Sequence, residues 1–433
     1  MSTPSSTPSG RFSRLLLLAL LYVAQALPLG FFVIAMPAIL RERGVSLEQI
    51  GVLGALAMPF LLKFLWAPFI DRFGRYRSWL IWLQVSAVAT VAAIAMLDPV
   101  ADWQALLGLG TLFMLLAATQ DVATDGLAVR LLWRDGEGRE DRGLGNAIQV
   151  GGYYLGQILG GGLVLILVGR FGWTAALAVM ALLLALPLPL VATLREPEAR
   201  LPAAGGEEVR PSIGFSTLAA FFRRPGILSF VVVLLVWRLG ETMTQWMVNP
   251  MLVDRGFSLE RIGVLLGMLG SAGSLAGAFF GGRLIARLGR HRSLAATGSL
   301  LVPAMAAYLL PALGHGGLPL LYAVVIASAF AGGASTAALY TAAMDASAYD
   351  TAGTDFTIQQ SLAAVGPMIA AGVSGLSAGL LGYPGHFALA AGVQLLVVAG
   401  LLLSPPLRRG LAQRAEARDL PPLPAARTAP AAG

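Results

Sequence analysis

Cysteine is absent from the 433 residues, and Lys63 is the only lysine. The chain therefore has no disulfide framework, no thiolate nucleophile and no thiolate metal site. Charge is scarce as well, at 12% against 57% hydrophobic residues, with a mean hydropathy of +0.74. A water-exposed globular surface is excluded by that balance. The three histidines, His291, His315 and His386, fall at loop or helix-end positions far apart in sequence, so no metal site is expected. A nucleotide-binding loop of the Walker type and the Ser/His/Asp and zinc motifs of hydrolases are also missing. An intramembrane aspartyl protease needs Gly-Asp settings, whereas Asp121 follows Gln120 and Asp125 follows Thr124. No enzyme activity and no cofactor are expected. Basic residues do not cluster into a nucleic-acid-binding face.

What is present is a series of long apolar runs. A bilayer core takes about 20 apolar residues per helix. Such runs lie near 14–40, 47–70, 78–97, 104–132, 145–169 and 173–194, then near 226–253, 258–286, 292–313, 317–345, 355–382 and 384–405. The 52 Gly and 25 Pro sit largely inside these runs, where small residues let helices approach closely in lipid. The first run begins like a signal peptide, with Arg11 and Arg14 ahead of LLLLALLYV and an imitation cleavage site at Ala24-Gln25-Ala26. It continues apolar to Leu40, so it reads as a first spanning helix. The expected fold is all-α and polytopic, with twelve transmembrane helices in two six-helix parallel repeats.

Residues 195–225 hold charges, Pro and Gly, and read as a cytoplasmic linker between an N-terminal half, 1–194, and a C-terminal half, 226–405. Part of that linker, Phe215 to Arg224, suits the membrane surface, and 406–433 is rich in Ala, Pro and Arg, as in a disordered tail. Cytoplasmic loops collect Lys and Arg. With both termini inside, 21 basic residues fall on the cytoplasmic side and only Arg41, Arg43, Arg170 and Arg255 outside.

The halves repeat. ERGVSLEQIGVL at 42–53 matches DRGFSLERIGVL at 254–265 at nine of twelve positions, and RFGRYRS at 72–78 is echoed by RLGRHRS at 287–293. Parallel six-helix repeats are one known transporter architecture, with the solute site near the midplane between them.

The loop Asp71-Arg72-Phe73-Gly74-Arg75-Tyr76-Arg77 resembles the motif between helices two and three of the major facilitator superfamily. An acid there can meet a helix N-terminus or an arginine, while Gly74 turns the chain and the arginines hold the cytoplasmic face. Asp71, Arg72, Gly74, Arg75 and Arg77 are thus candidates for a conformational latch. LKFLWAPFIDRFG at 62–74, ATQDVATDGLAVRLL at 118–132, RGLGNAIQVGGYYLGQILGGG at 142–162 and GTDFTIQQSLAAVG at 353–366 extend the resemblance to one branch. That branch holds the muropeptide permeases (AmpG), the acetyl-coenzyme A transporters and the rhizobactin- and pyochelin-type siderophore permeases. In wording the chain is nearest the siderophore permeases. The resemblance implies a proton-coupled importer of a bulky polar solute in a bacterial inner membrane, a ferric siderophore first and a muropeptide or acyl-coenzyme A as alternatives. A monomer is expected, with the small-molecule solute, protons and membrane lipid as its partners. A rival of another class is a non-transporting scaffold or sensor on the same fold.

Charges inside spans cost about 2.5 to 3.5 kcal/mol each and so mark functional positions by default. They are Lys63 in span two, Asp121, Asp125 and Arg130 in span four, Arg238 and Glu241 in span seven, and Asp345 in span ten. Spans one, four, seven and ten line the central cavity in the superfamily this chain resembles. One of the carboxylates is expected to carry the coupling proton, since burial favours the uncharged form. Lys63 with Asp121 and Arg238 with Glu241 are candidate pairs, and the structural alternative is that such pairs only fix helix packing. Arg130 is placed to snorkel to the surface. Gln25, Gln149 and Gln359 are polar cavity candidates, with Gln157, Gln245 and Asn249 needing partners in lipid as well. Tyr22, Phe32, Tyr153, Trp237, Trp246 and Tyr340 can stack on a flat or sugar-like solute, or serve only in packing. The spacing of Gly152, Gly156 and Gly160 points to a close helix contact.

Overall fold

A computed structural model describes residues 8–73, 75–132, 140–194, 196, 221–224, 226–346 and 352–403. Most of the linker and the tail from 404 lie outside the described residues, as does Phe215. The described chain is helical throughout because backbone polar groups in hydrocarbon must be paired within their own segment. Ten spans are Phe12–Glu42, Leu47–Leu65, Tyr76–Ala95, Trp103–Ala128, Ile148–Phe171, Trp173–Thr193, Ile227–Asp254, Leu259–Ile285, His291–Ala312 and Gly317–Ala343. The eleventh helix, Ile358–Leu403, is two spans joined at Gly382, whose φ of 66° reverses the chain, so twelve helices cross the membrane. Short turns near 43–46, 96–102, 172, 255–258, 313–316 and 382 form one end of the bundle, here the hairpin end. The opposite end carries the linker.

The sequence repeat is built twice as the same turn. Gly44 and Gly256 take φ of 83° and 77°, and Ser46 and Ser258 follow as N-caps. Ser46 Oγ accepts from the Gln49 N–H at 3.3 Å and Ser258 Oγ from the Arg261 N–H at 3.4 Å. A side-chain oxygen satisfies one of the four open N–H groups of a helix start, so each RGxS stretch both turns the chain and starts the next span.

Several spans are interrupted. Proline removes an N–H and crowds the carbonyl four residues earlier. Span two carries Pro59 and Pro68, and the stretches Leu53–Ala57 and Lys63–Leu65 tighten to 3₁₀ geometry. Lys63 thereby sits at a break rather than in a regular helix. Span seven is broken at Arg238 (φ −100°, ψ 7°), where Ile227–Val236 gives way to Leu239–Asp254.

Glycine sets the closest helix contacts. Gly152, Gly156 and Gly160 of span five rest on span one: a Cβ at 156 would lie 2.5 Å from Ala26 Cβ and 2.6 Å from the Val23 carbonyl. Gly160 faces the Leu27 carbonyl and Gly152 faces Tyr22. Because the neighbours are largely backbone, they cannot step aside. We expect Gly156→Ala to cost about 1–3 kcal/mol by overpacking, read as a lower unfolding midpoint in detergent. An unchanged midpoint would show that spans one and five are not in contact here.

Candidate functional site

Two polar clusters face each other inside the membrane, one in each half. In the first, Asp121 and Asp125 lie one helical turn apart on span four and so share a face. Both oxygens of Asp121 are engaged. Its Oδ2 forms an ion pair with Lys63 Nζ, reached from the 3₁₀ turn of span two, and its Oδ1 accepts from Gln25 Nε2 of span one at 2.7 Å. The pair is well enclosed, with side-chain exposures of 12% for Lys63 and 14% for Asp121.

Asp125 is held differently. Its Oδ1 accepts from the Tyr22 hydroxyl of span one at 2.9 Å and from Gln149 Nε2 of span five at 3.2 Å. Both donors are neutral, and among the described residues no cation bonds to this carboxylate. Four spans therefore converge on two acids, only one of which bonds directly to a cation, with Lys63 within electrostatic range of the other.

The second cluster sits at the break in span seven. Arg238 Nε donates to Glu241 Oε2 at 3.2 Å, and Gln245 Nε2 donates to Glu241 Oε1 at 3.1 Å. A Cβ at Gly332 of span ten would lie 2.6 Å from Glu241 Oε1, so glycine there leaves the room that the carboxylate fills. Trp237 Nε1 donates to Ser335 Oγ of span ten at 2.9 Å, which fixes the residue next to Arg238. Tyr340 of span ten is within electrostatic range of both Lys63 and Arg238, and Tyr153 of span five is within range of Arg238 and Glu241. The clusters thus share one space. Tyr153 is 42% exposed although it faces the opposite half, as expected of a side chain lining an open gap.

The remaining candidates separate. Gln359 is fully buried in span eleven. The side chains of Asp345 and Arg130 lie outside the described residues, and Thr341, one turn before Asp345, donates to its own helix at the Ala337 carbonyl, 2.8 Å away. Asn249 is buried with its Oδ1 unpaired among the described residues. Of the latch residues, Gly74 and the side chains of Asp71 and Arg72 lie outside the described residues, and Arg75 is exposed. Among the described residues, the acid that meets the N-terminus of span three is Glu196. It accepts from the Tyr76 N–H at 3.3 Å and the Arg77 N–H at 3.1 Å, while the Arg77 guanidinium donates to the Ala192 carbonyl. A carboxylate is favoured at a helix N-terminus, and these bonds tie span three to the end of span six.

His386 lies at the start of span twelve, just after the Gly382 reversal, and is fully buried, with Nδ1 2.7 Å from Ser377 Oγ of span eleven and Nε2 3.0 Å from the Met243 carbonyl of span seven. Among the described residues no cluster of three or more metal-ligating side chains occurs.

At the hairpin end the halves are pinned together. Arg41 of span one forms a bidentate pair with Asp254 of span seven, both contacts at 2.7 Å, and the Tyr383 hydroxyl adds a third bond to Asp254 at 2.6 Å. Arg170 pairs with Glu260 at 3.1 Å, again across the halves. Arg43 pairs with Asp98 at 2.8 Å, and the backbone N–H groups of Ala101 and Val100 hold that loop carboxyl below the usual carboxylate range. Arg255 donates to the Ala312 carbonyl at 2.6 Å. All four arginines assigned by charge to one side are therefore engaged.

A family model described as Major Facilitator Superfamily matches residues 18–362 and, in a second match, 243–431. The chain belongs to the Major Facilitator Superfamily. This facilitator is 29% identical over 366 residues to the anhydromuropeptide permease of Escherichia coli strain K12, covering 83% of this chain and 73% of the relative. A transporter designated AmpG 4 of Rickettsia felis is 22% identical over 306 residues, 66% of this chain and 70% of its own. The similarity therefore places the facilitator in the AmpG-like branch, among secondary transporters and not enzymes. Neither relative is a siderophore permease, so the nearness in wording to that group is not matched by these similarities. Among solved structures, a variant of the nucleoside transporter NupG superposes with a TM-score of 0.68 at 13% identity over 90% of this chain and 99% of its own. A bacterial homologue of the human lysosomal transporter Spinster gives 0.67 at 16% identity over 96% and 98%. Both share the fold.

Proposed function

We propose that this facilitator imports an anhydromuropeptide-type solute together with protons across a bacterial inner membrane, with the hairpin end outward and both termini in the cytoplasm. Asp125 carries the reading. It is a membrane-interior carboxylate bonded by neutral donors only, so taking up a proton leaves no cation stranded, whereas protonating Asp121 or Glu241 would abandon Lys63 or Arg238. The pinned hairpin end corresponds to a state closed to the outside. The solute class follows from the similarity to the muropeptide permease together with charge. Lys63 and Arg238 face Asp121, Asp125 and Glu241, a net of −1 among the described residues when all are ionised. A solute of high negative charge, such as a ferric tris-catecholate or a coenzyme A ester, is repelled by such a site more than a peptide with isolated carboxylates.

The test is uptake into proteoliposomes with the outside one pH unit more acidic. One coupled proton then supports about tenfold accumulation. The parent protein is expected to concentrate labelled anhydromuropeptide until a protonophore is added. Asp125→Asn is expected to lose concentrative uptake while still exchanging internal for external solute. Accumulation that survives in Asp125→Asn would remove this residue from coupling. Uptake of a ferric siderophore or acetyl-coenzyme A in place of the muropeptide would change the solute, and uptake of none by folded protein would favour the scaffold or sensor.

A further inference from the structure

The two cations of the gap are not equally open. The single nitrogen of Lys63 is paired with Asp121 and its side chain is only 12% exposed. Arg238 engages Glu241 through Nε alone, and its two terminal nitrogens make no hydrogen bond among the described residues. Exposure points the same way, since the Arg238 side chain is 23% exposed and that of Glu241 only 7%. Glu241 is held from two directions, by Gln245 and by the wall at Gly332, so the acid of this pair is fixed while the open edge of the guanidinium faces the gap.

An arginine fork presents paired N–H groups spaced to bind a carboxylate bidentately. The helix break at Arg238 brings that fork to a point where span seven changes direction, and broken helices mark binding sites in transporters. Tyr153 of span five and Tyr340 of span ten lie within electrostatic range of it, and aromatic rings beside a charge suit the body of a solute.

We propose that Arg238 is the anchor for a carboxylate of the transported solute, and that Glu241 is its stand-in counter-ion while the site is empty. The inference rests on the muropeptide reading above and adds to it the atom that selects the solute's acid. A carboxylate on the terminal nitrogens competes with Glu241 for the same positive charge, so removing Glu241 should tighten binding of an acidic solute. A second anion also raises the negative charge of the gap, which proton uptake at Asp125 relieves, and solute and proton therefore load together.

The experiment compares two probes, an anhydromuropeptide with free peptide carboxylates and its carboxamide analogue, in proteoliposome uptake. The parent is expected to show a KM about 10- to 100-fold lower for the acid, as a hydrogen bond to a charged group implies. Glu241→Gln should lower the KM for the acid several-fold and leave that of the amide in place. Arg238→Gln/Glu241→Gln, which strands neither partner, should raise the KM for the acid to that of the amide. A purely structural Arg238 predicts equal losses for the two probes in the double variant, and that result would overturn the inference while leaving the proposed function standing. Equal KM values for acid and amide in the parent would overturn it as well. A parent that takes up neither probe would overturn the muropeptide reading and this inference with it.

Discussion

Lys63→Met is expected to lower stability by about 3–5 kcal/mol, the cost of leaving one member of a buried ion pair without the other. The reasoning is that Asp121 would keep only the Gln25 amide as a partner while remaining in the membrane interior, with 14% of its side chain exposed. Asp121→Leu alone should cost a similar amount, because the ammonium is then the stranded group. The double variant Lys63→Met/Asp121→Leu should recover most of the loss, since apolar residues of similar volume replace a buried pair at little cost or even with a gain. Unfolding midpoints in detergent, arranged as a double-mutant cycle, give the coupling directly. Additive single effects would show that the pair is not formed. Transport decides the second question: a stable double variant that still concentrates solute assigns the pair to packing, and a stable but inactive one assigns it to the transport cycle.

How much of this was legible in the sequence depends on the kind of signal. Twelve spans were readable because each is a run of apolar residues long enough to cross hydrocarbon, and the RGxS repeat was readable because its glycines and serines do local work in turning and capping. The membrane charges stood out by rarity, and residues four or three apart on one helix must share a face, so Asp121 with Asp125 and Arg238 with Glu241 needed no tertiary information. What pairs with them was harder. Tyr22 was visible only as an aromatic in span one, and nothing local says that its hydroxyl reaches Asp125, 103 residues later. Tyr383 and Asp254 are 129 residues apart and meet Arg41 only once the halves have packed. Glu196 looked like part of a charged linker because its partners are backbone N–H groups, which leave no trace in side-chain patterns. The partners of His386 were hidden for a related reason: its place near a turn was readable, but Ser377 and the Met243 carbonyl, which satisfy it in the interior, meet it only in the folded bundle.

The halves approach closely where span five meets span eight, and that seam makes a conformational prediction. Both helices widen there to π geometry, at Ile158–Leu163 and Gly263–Gly270. A Cβ at Gly162 would lie 2.9 Å from the Gly263 carbonyl and 3.0 Å from Gly267 Cα, and a Cβ at Gly267 would run into the backbone of Gly162. Backbone on both sides means that no rotamer change relieves the clash. Gly267→Leu should therefore force the hairpin end apart rather than repack it. Strain of about 1–3 kcal/mol shifts a two-state equilibrium by roughly 5- to 150-fold, at tenfold per 1.4 kcal/mol. The absence of cysteine makes the measurement clean. Met251→Cys places one thiol at a fully buried position near the hairpin end of span seven. Its maleimide labelling should be slow in the parent background and roughly 5- to 150-fold faster with Gly267→Leu. Gly282→Leu, on the same span with open space around it, should change the rate little. Equal rates in all three would mean that this glycine seam does not hold the hairpin end closed, leaving the Arg41–Asp254 and Arg170–Glu260 pairs and the contact of Gly375 with Leu47 to do so.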